Sequence, residues 1–237
     1  MIYILCMNIA TFVVFLLLFV KPLQASELNA AIDSLEREWA VAYYQSDETK
    51  QKQVYPLLLK KSAELVERYP NAAEPKVWLA TIMATYAAFE APFSALSSLG
   101  EAKTLLEEAI RINPKALDGM AYVTLGTLYY MLPGWPISFG DDDAAEQLLK
   151  TSLKINPNGI DANYFYADFL LRQDRAEEAE VFFQKASQVP IRKHQVFADT
   201  QLQNEARLAL THAKQRKSNA SKNQFQSLFT TASISAD

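Results

Sequence analysis

"EAKTLLEEAIRINP" (101–114), "DAAEQLLKTSLKINP" (143–157) and "EEAEVFFQKASQVP" (177–190) are three versions of one segment. In the first two, a small residue, a large apolar residue, a second small residue and a closing proline recur with equal steps: Ala102, Leu106, Ala109 and Pro114 against Ala145, Leu149, Ser152 and Pro157. In the third, Ala179, Phe183 and Ala186 keep the steps, and Pro190 arrives one residue early. Steps of three and four place these side chains on one face of a helix. Each segment follows another helical run, "PKVWLATIMATYAAF" (75–89), "GMAYVTLGTLYYML" (119–132) or "ANYFYADFLLRQ" (162–173), which supplies a large-small pair: Leu79-Ala80, Leu125-Gly126 or Tyr166-Ala167. A small residue lets two helices approach closely, and the large residue fills the groove between neighbours. Every unit is therefore a helical hairpin with a proline-marked stop.

These residues resemble the tetratricopeptide repeat, most closely in the last unit, where Ala167, Asp174, Ala179, Phe183 and Ala186 stand at the family's spacing. The resemblance covers residues 70–190 well and 26–69 as a degenerate helical pair, the latter with Leu28, Ala31, Ile32, Leu35, Trp39, Ala42 and Tyr43 on one face and a second run from Tyr55 to Tyr69. The expected fold is all-α: an α-solenoid of tetratricopeptide-like hairpins with two inter-helix insertions. Pro70 to Pro114 is 44 residues and Pro114 to Pro157 is 43, against 33 for Pro157 to Pro190 and a family repeat of about 34. The excess falls in "FEAPFSALSSLG" (89–100) and "LPGWPISFGDDD" (132–143), placing both insertions at hairpin tips.

The second insertion is the least ordinary run in the chain. Pro133 and Pro136 stiffen it, and Gly134 and Gly140 open backbone angles that other residues avoid. Its aromatics, Trp135 and Phe139, either fold back as a plug over the core or form an apolar lip for a ligand or partner, with Phe89, Phe93 and Leu96 of the first insertion beside them. Asp141, Asp142 and Asp143 read as punctuation for the next helix, one capping it and the others favouring the positive end of its dipole. Three adjacent carboxylates cannot all converge on one ion, and the alternating spacing of a calcium loop is absent, so no metal or other cofactor is expected.

In the tetratricopeptide family the first helices of successive hairpins line a concave groove. The resemblance implies that Val77, Thr81, Val123, Thr127, Tyr130, Tyr164 and Asp168 face it. That lining is apolar and hydroxylic, without the cationic clamp with which some relatives grip a terminal carboxylate. It suits an extended peptide or an apolar small molecule. The competing reading makes several of the tyrosines core, with hydroxyls reaching solvent.

Residues 1–25 belong to a different regime, with an apolar run from Ile2 to Val20 and one charge, Lys21. They read as a cleaved signal peptide or a membrane anchor, with the body outside the cytoplasm, in the periplasm or held at the membrane. Cys6, the sole cysteine, lies inside that run, so the helical body has no thiol and gains nothing from disulfides. After Pro190, Val196 to Ala213 reads as a capping helix, with Phe197, Leu202, Ala206, Leu210 and Ala213 on its apolar face; this closes a helical domain of residues 26–213. Residues 214–237 are polar and serine-rich without sustained period and read as a disordered tail.

A net charge of −4 supplies no basic field for a nucleic-acid backbone. His194 and His212 are the only histidines, neither joins a recognisable nucleophile motif, and no phosphate-binding loop, dinucleotide fingerprint or H-E-x-x-H occurs. The expectation is a non-catalytic scaffold that binds a protein partner and is able to form homo-oligomers. Carriage of an apolar small molecule is the alternative, and a cryptic enzyme the third option. The apparent export segment, the degenerate hairpins and "FGDDDAAEQLLKTSL" (139–153) also look like the T-component associated with tripartite ATP-independent periplasmic (TRAP) transporters. That resemblance implies a periplasmic solute-binding protein as partner; the lipid-attachment cysteine of some members is absent.

Overall fold

The computed structural model describes residues 26–193 and 195–234, with side chains through Arg216. The expected signal or anchor, residues 1–25, and His194 lie outside the described residues, among which no strand occurs. The helices are α1 (26–45), α2 (Glu48–Arg68), α3 (Glu74–Tyr86), α4 (Pro92–Ile112), α5 (Met120–Met131), α6 (Asp142–Ile155), α7 (Ile160–Arg172), α8 (Ala176–Ala186) and α9 (Val196–Ile234). None of them is long and apolar enough to cross a membrane.

The hairpins α3/α4, α5/α6 and α7/α8 each pack internally; α3 then lies against α5, α5 against α7, and α7 and α8 against α9. This is the sequential stacking of a solenoid. The repeated small-large-small positions are its core: Ala102, Leu106, Ala109, Ala145, Leu149, Ser152, Ala179, Phe183 and Ala186 are all 0 % exposed. Full burial of a Leu or Phe side chain stabilises by about 1.5–3 kcal/mol, so this register is a principal source of stability. Gly126 shows why the small partner is needed. A Cβ placed there would lie 2.9 Å from Cγ of Leu149, across the α5/α6 contact.

Helix ends follow local chemistry. Asp47 caps α2 by accepting from the backbone N–H of Lys50 at 2.9 Å, and this starts the helix at Glu48, nearly two turns ahead of the expected Tyr55. Pro56, inside that helix, removes one backbone donor. The first of the two expected insertions is mostly not a loop. Pro92 opens α4, a position where proline's fixed φ suits a helix start, and the Ala/Leu/Ser run behind it continues into the repeat segment. Between α4 and α5, Leu117, Asp118 and Gly119 take φ of 48°, 56° and 84°, a left-handed turn that redirects the chain.

The capping helix covers the end of the stack with Leu202, Ala206 and Ala213, all buried. It then runs on to Ile234, past the expected end at Ala213 and through the segment read as a tail. No proline or glycine occurs between Val196 and Ile234, so nothing in the backbone chemistry stops it.

Candidate binding surfaces

The tip loop between α5 and α6 is pinned by its own backbone. Gly140 donates to the carbonyl of Pro133 at 3.0 Å, Asp141 to that of Tyr129 at 3.0 Å, and Ile137 to that of Gly134 at 3.1 Å. The Trp135-Pro136 peptide is cis. Gly140 allows the closure: a Cβ there would stand 2.0 Å from the carbonyl oxygen of Leu132. Asp141 caps α6, accepting from the N–H of Ala144 at 2.9 Å, with Asp142 and Asp143 in the first turn.

The loop divides its aromatics between the two readings. Phe139 folds back, meeting Tyr129 edge-on at 5.3 Å and packing on the α3–α5 core, with the Lys103 ammonium 5.8 Å from its ring centre. Trp135 points outward, 89 % exposed, beside exposed Ile137 and, at the end of α5, Met131. Phe93, on the first turn of α4, is also exposed at the tip edge. Phe89 does not join them. It packs against Tyr55 and Tyr86 in the N-terminal core, because the short 3-10 turn Ala87–Phe89 folds it back onto α2.

The inner face departs further from expectation. Val77 and Val123 are buried in helix packing and line no groove. The hydroxyls of Thr81 and Thr127 donate to their own helices, to the carbonyls of Val77 and Val123, each at 2.9 Å. Tyr130 and Asp168 do come together: the phenol donates to Oδ2 of Asp168 at 2.8 Å, Arg172 Nε donates to the same oxygen at 3.1 Å, and the guanidinium lies 5.3 Å from the Tyr130 ring centre. Burial, then the Asp168 charge, pushes the Tyr130 phenol far above its ordinary pKa. This closed triad ties α5 to α7. Tyr164 packs edge-on against Phe183 at 5.6 Å, and burial, then the Glu205 charge from α9, pushes its phenol far above its ordinary pKa.

What sequence reasoning missed is where α1 packs, not the helix itself. Trp39 meets Trp78 edge-on at 5.5 Å and donates through Nε1 to Thr85 of α3 at 3.2 Å. Five residues on, the Tyr44 ring is 6.2 Å from Phe197 of α9. Burial, and after it the Glu205 charge, raises the phenol pKa values of Tyr43 and Tyr44. Touching α3 at one point and α9 at another, α1 crosses the inner face, and the expected concave groove is bridged by the first and last of the described helices. A different hollow, about 510 Å³, opens between α4, α5 and α6, walled by Ile110, Leu125, Tyr129 and Leu148 together with the polar Glu107, Arg111, Gln147 and Thr151.

Residues 137–189 match the family model described as tetratricopeptide repeat. A thermophilic TPR protein of Thermus thermophilus superposes with a TM-score of 0.53 at 21 % identity, over 81 % of this chain and 95 % of its own. MamA matches with a TM-score of 0.41 at 16 % identity, over 75 % of this chain and 98 % of that one. Yeast Tom70 matches at 0.45 and 19 % identity, over 80 % of this chain and 35 % of its own. No curated protein matches the chain. At 21 % identity the likeness to the Thermus protein is one of fold, a tetratricopeptide-like solenoid.

Proposed function

We propose that this tetratricopeptide-like solenoid is an exported, non-catalytic scaffold that docks a protein partner on its hairpin-tip edge. The observation that carries the reading is Trp135, held 89 % exposed on a loop whose backbone is tied at three points. A large aromatic ring offered to water from a rigid support has lost little freedom still to lose on binding, which is the character of an interface anchor. Ile137, 66 % exposed beside it, widens the apolar contact. The apolar run at residues 2–20 supports a place outside the cytoplasm, and there the partner we propose is a periplasmic solute-binding protein. Replacing Trp135 and Ile137 with serine is expected to abolish co-purification of that partner from the native envelope while far-UV circular dichroism stays unchanged. Undiminished co-purification would remove the basis for the reading.

The hollow between α4, α5 and α6 favours a second reading, carriage of an apolar small molecule. Native mass spectrometry of the purified protein then shows a retained ligand, which Leu148→Glu releases; a ligand-free spectrum from native material excludes it.

A further inference from the structure

α1 buries two faces. One carries Ile32, Leu35 and Ala42 into the core shared with α2 and α3. The other steps by four through Glu36, 3 % exposed, and Ala40, 1 % exposed, to Tyr44 at the Phe197 contact. Glu36 therefore lies in the seam where α1 meets the connector before α9 and the first turn of α9. The cation there is already committed. Arg192 donates through Nη2 to Asp199 at 2.6 Å and to Asp161 at 2.9 Å, and its backbone N–H donates to Asp199 at 2.7 Å. Among the described residues Glu36 has neither a hydrogen bond nor an ion pair. The charged groups that act on it are Arg192 and Asp199 across the seam, and Arg37 and Asp33 on its own helix. A buried carboxylate without a donor is costly, and a proton is the simplest way to remove its charge.

We propose that the α1–α9 seam is a proton-controlled latch: Glu36 is carried into the closed seam in its neutral form, and its ionisation sets a charge beside Asp199 that loosens α1 from α9. Burial is the chief cause that raises the Glu36 carboxyl to about 7; Arg192 works against this, and Asp199 adds to it. With α1 released, the carboxyl stands in water at the ordinary value of 4.5. The closed form then holds the proton more tightly than the open one, and the closed-to-open ratio falls about tenfold for each pH unit between these two values. Below the lower value closure is fully favoured, and above the upper value the loss is complete. Opening bares Tyr43, Tyr44, Tyr164 and Glu205 on the inner face. The latch is independent of the docking reading for Trp135, which sits on the opposite edge of the hairpins from the connector before α9.

Amide hydrogen exchange on the full chain in detergent micelles, in steps from about pH 4.5 to about pH 8, tests it. Rates are corrected for intrinsic chemistry, and α1 and residues 196–206 are referenced to α5 and α6. In the wild type, relative protection of α1 and 196–206 is expected to fall at least about tenfold toward high pH, with the midpoint of its logarithm between about 5 and 7. Glu36→Gln, neutral at every pH, is expected to remove most of the dependence, while Glu205→Gln, whose carboxyl burial also raises, removes a smaller part. A flat wild-type profile overturns the latch, as does a dependence that survives undiminished in Glu36→Gln or disappears in Glu205→Gln. Should Glu36→Gln fail to fold, the wild-type midpoint decides alone, and one outside that window overturns it.

Discussion

Gly126 sets two residue-scale effects against each other. Alanine there gains helix propensity of about 1 kcal/mol, but its Cβ would stand 2.9 Å from Leu149 Cγ, with the Ala145 carbonyl oxygen at 3.3 Å behind. Overpacking a close helix contact costs about 1–3 kcal/mol, so Gly126→Ala is expected to lower the urea-unfolding free energy by about 1 kcal/mol. At Gly140 no such gain exists. The added carbon would meet backbone oxygen at 2.0 Å, and Gly140→Ala should destabilise by about 1–3 kcal/mol and shift Trp135 emission, leaving the helical signal in place. Glu146 supplies a pH handle. It accepts from Arg175 at 2.8 Å and pairs with Lys150 at 2.9 Å, and the Arg175 hydrogen bond chiefly holds its carboxyl at about 2 against an ordinary 4.5. A depressed carboxyl stabilises the fold above its unfolded pKa and loses that contribution as pH falls from about 4.5 toward about 2. Acid titration of thermal stability should show this loss in the wild type and less of it in Glu146→Gln.

The elements differ in how openly the sequence announces them. Repeated steps of three and four at Ala102, Leu106 and Ala109, and again at Ala179, Phe183 and Ala186, make their helices and buried faces legible, because one stripe faces one neighbour. The capping role of Asp141 is legible for the same local reason, and Asp141→Ala should cost about 1 kcal/mol by chemical denaturation. α1 is not so legible. Its second buried face, at Glu36, Ala40 and Tyr44, contains a carboxylate, and a charged residue reads as a solvated surface. α4 misleads in another way: proline and small residues at 91–100 look like a loop, yet proline in the first turn begins a helix as readily as it ends one. Phe139 and Trp135 share a loop and a chemical type, so no pattern tells them apart. Only the direction of the Gly140 closure sends one inward and the other out.

At the scale of the molecule, the contact between α1 and α9 joins residues far apart in the chain, and no local periodicity encodes it. It is measurable as a coupling. In a double-mutant cycle, Tyr44→Ala and Phe197→Ala should show an interaction of about 0.5–1.5 kcal/mol, the range for edge-on aromatic pairs. Strict additivity would mean that the ends do not meet in solution.

Stacks of repeats ordinarily shed their outermost units first, since each terminal unit has a neighbour on one side only. Here the outermost helices clasp one another, and the architecture acquires the connectivity of a bracelet. Fraying at either extremity must first undo the clasp, so a lesion in α1 should be felt in α9 before it reaches the middle of the stack.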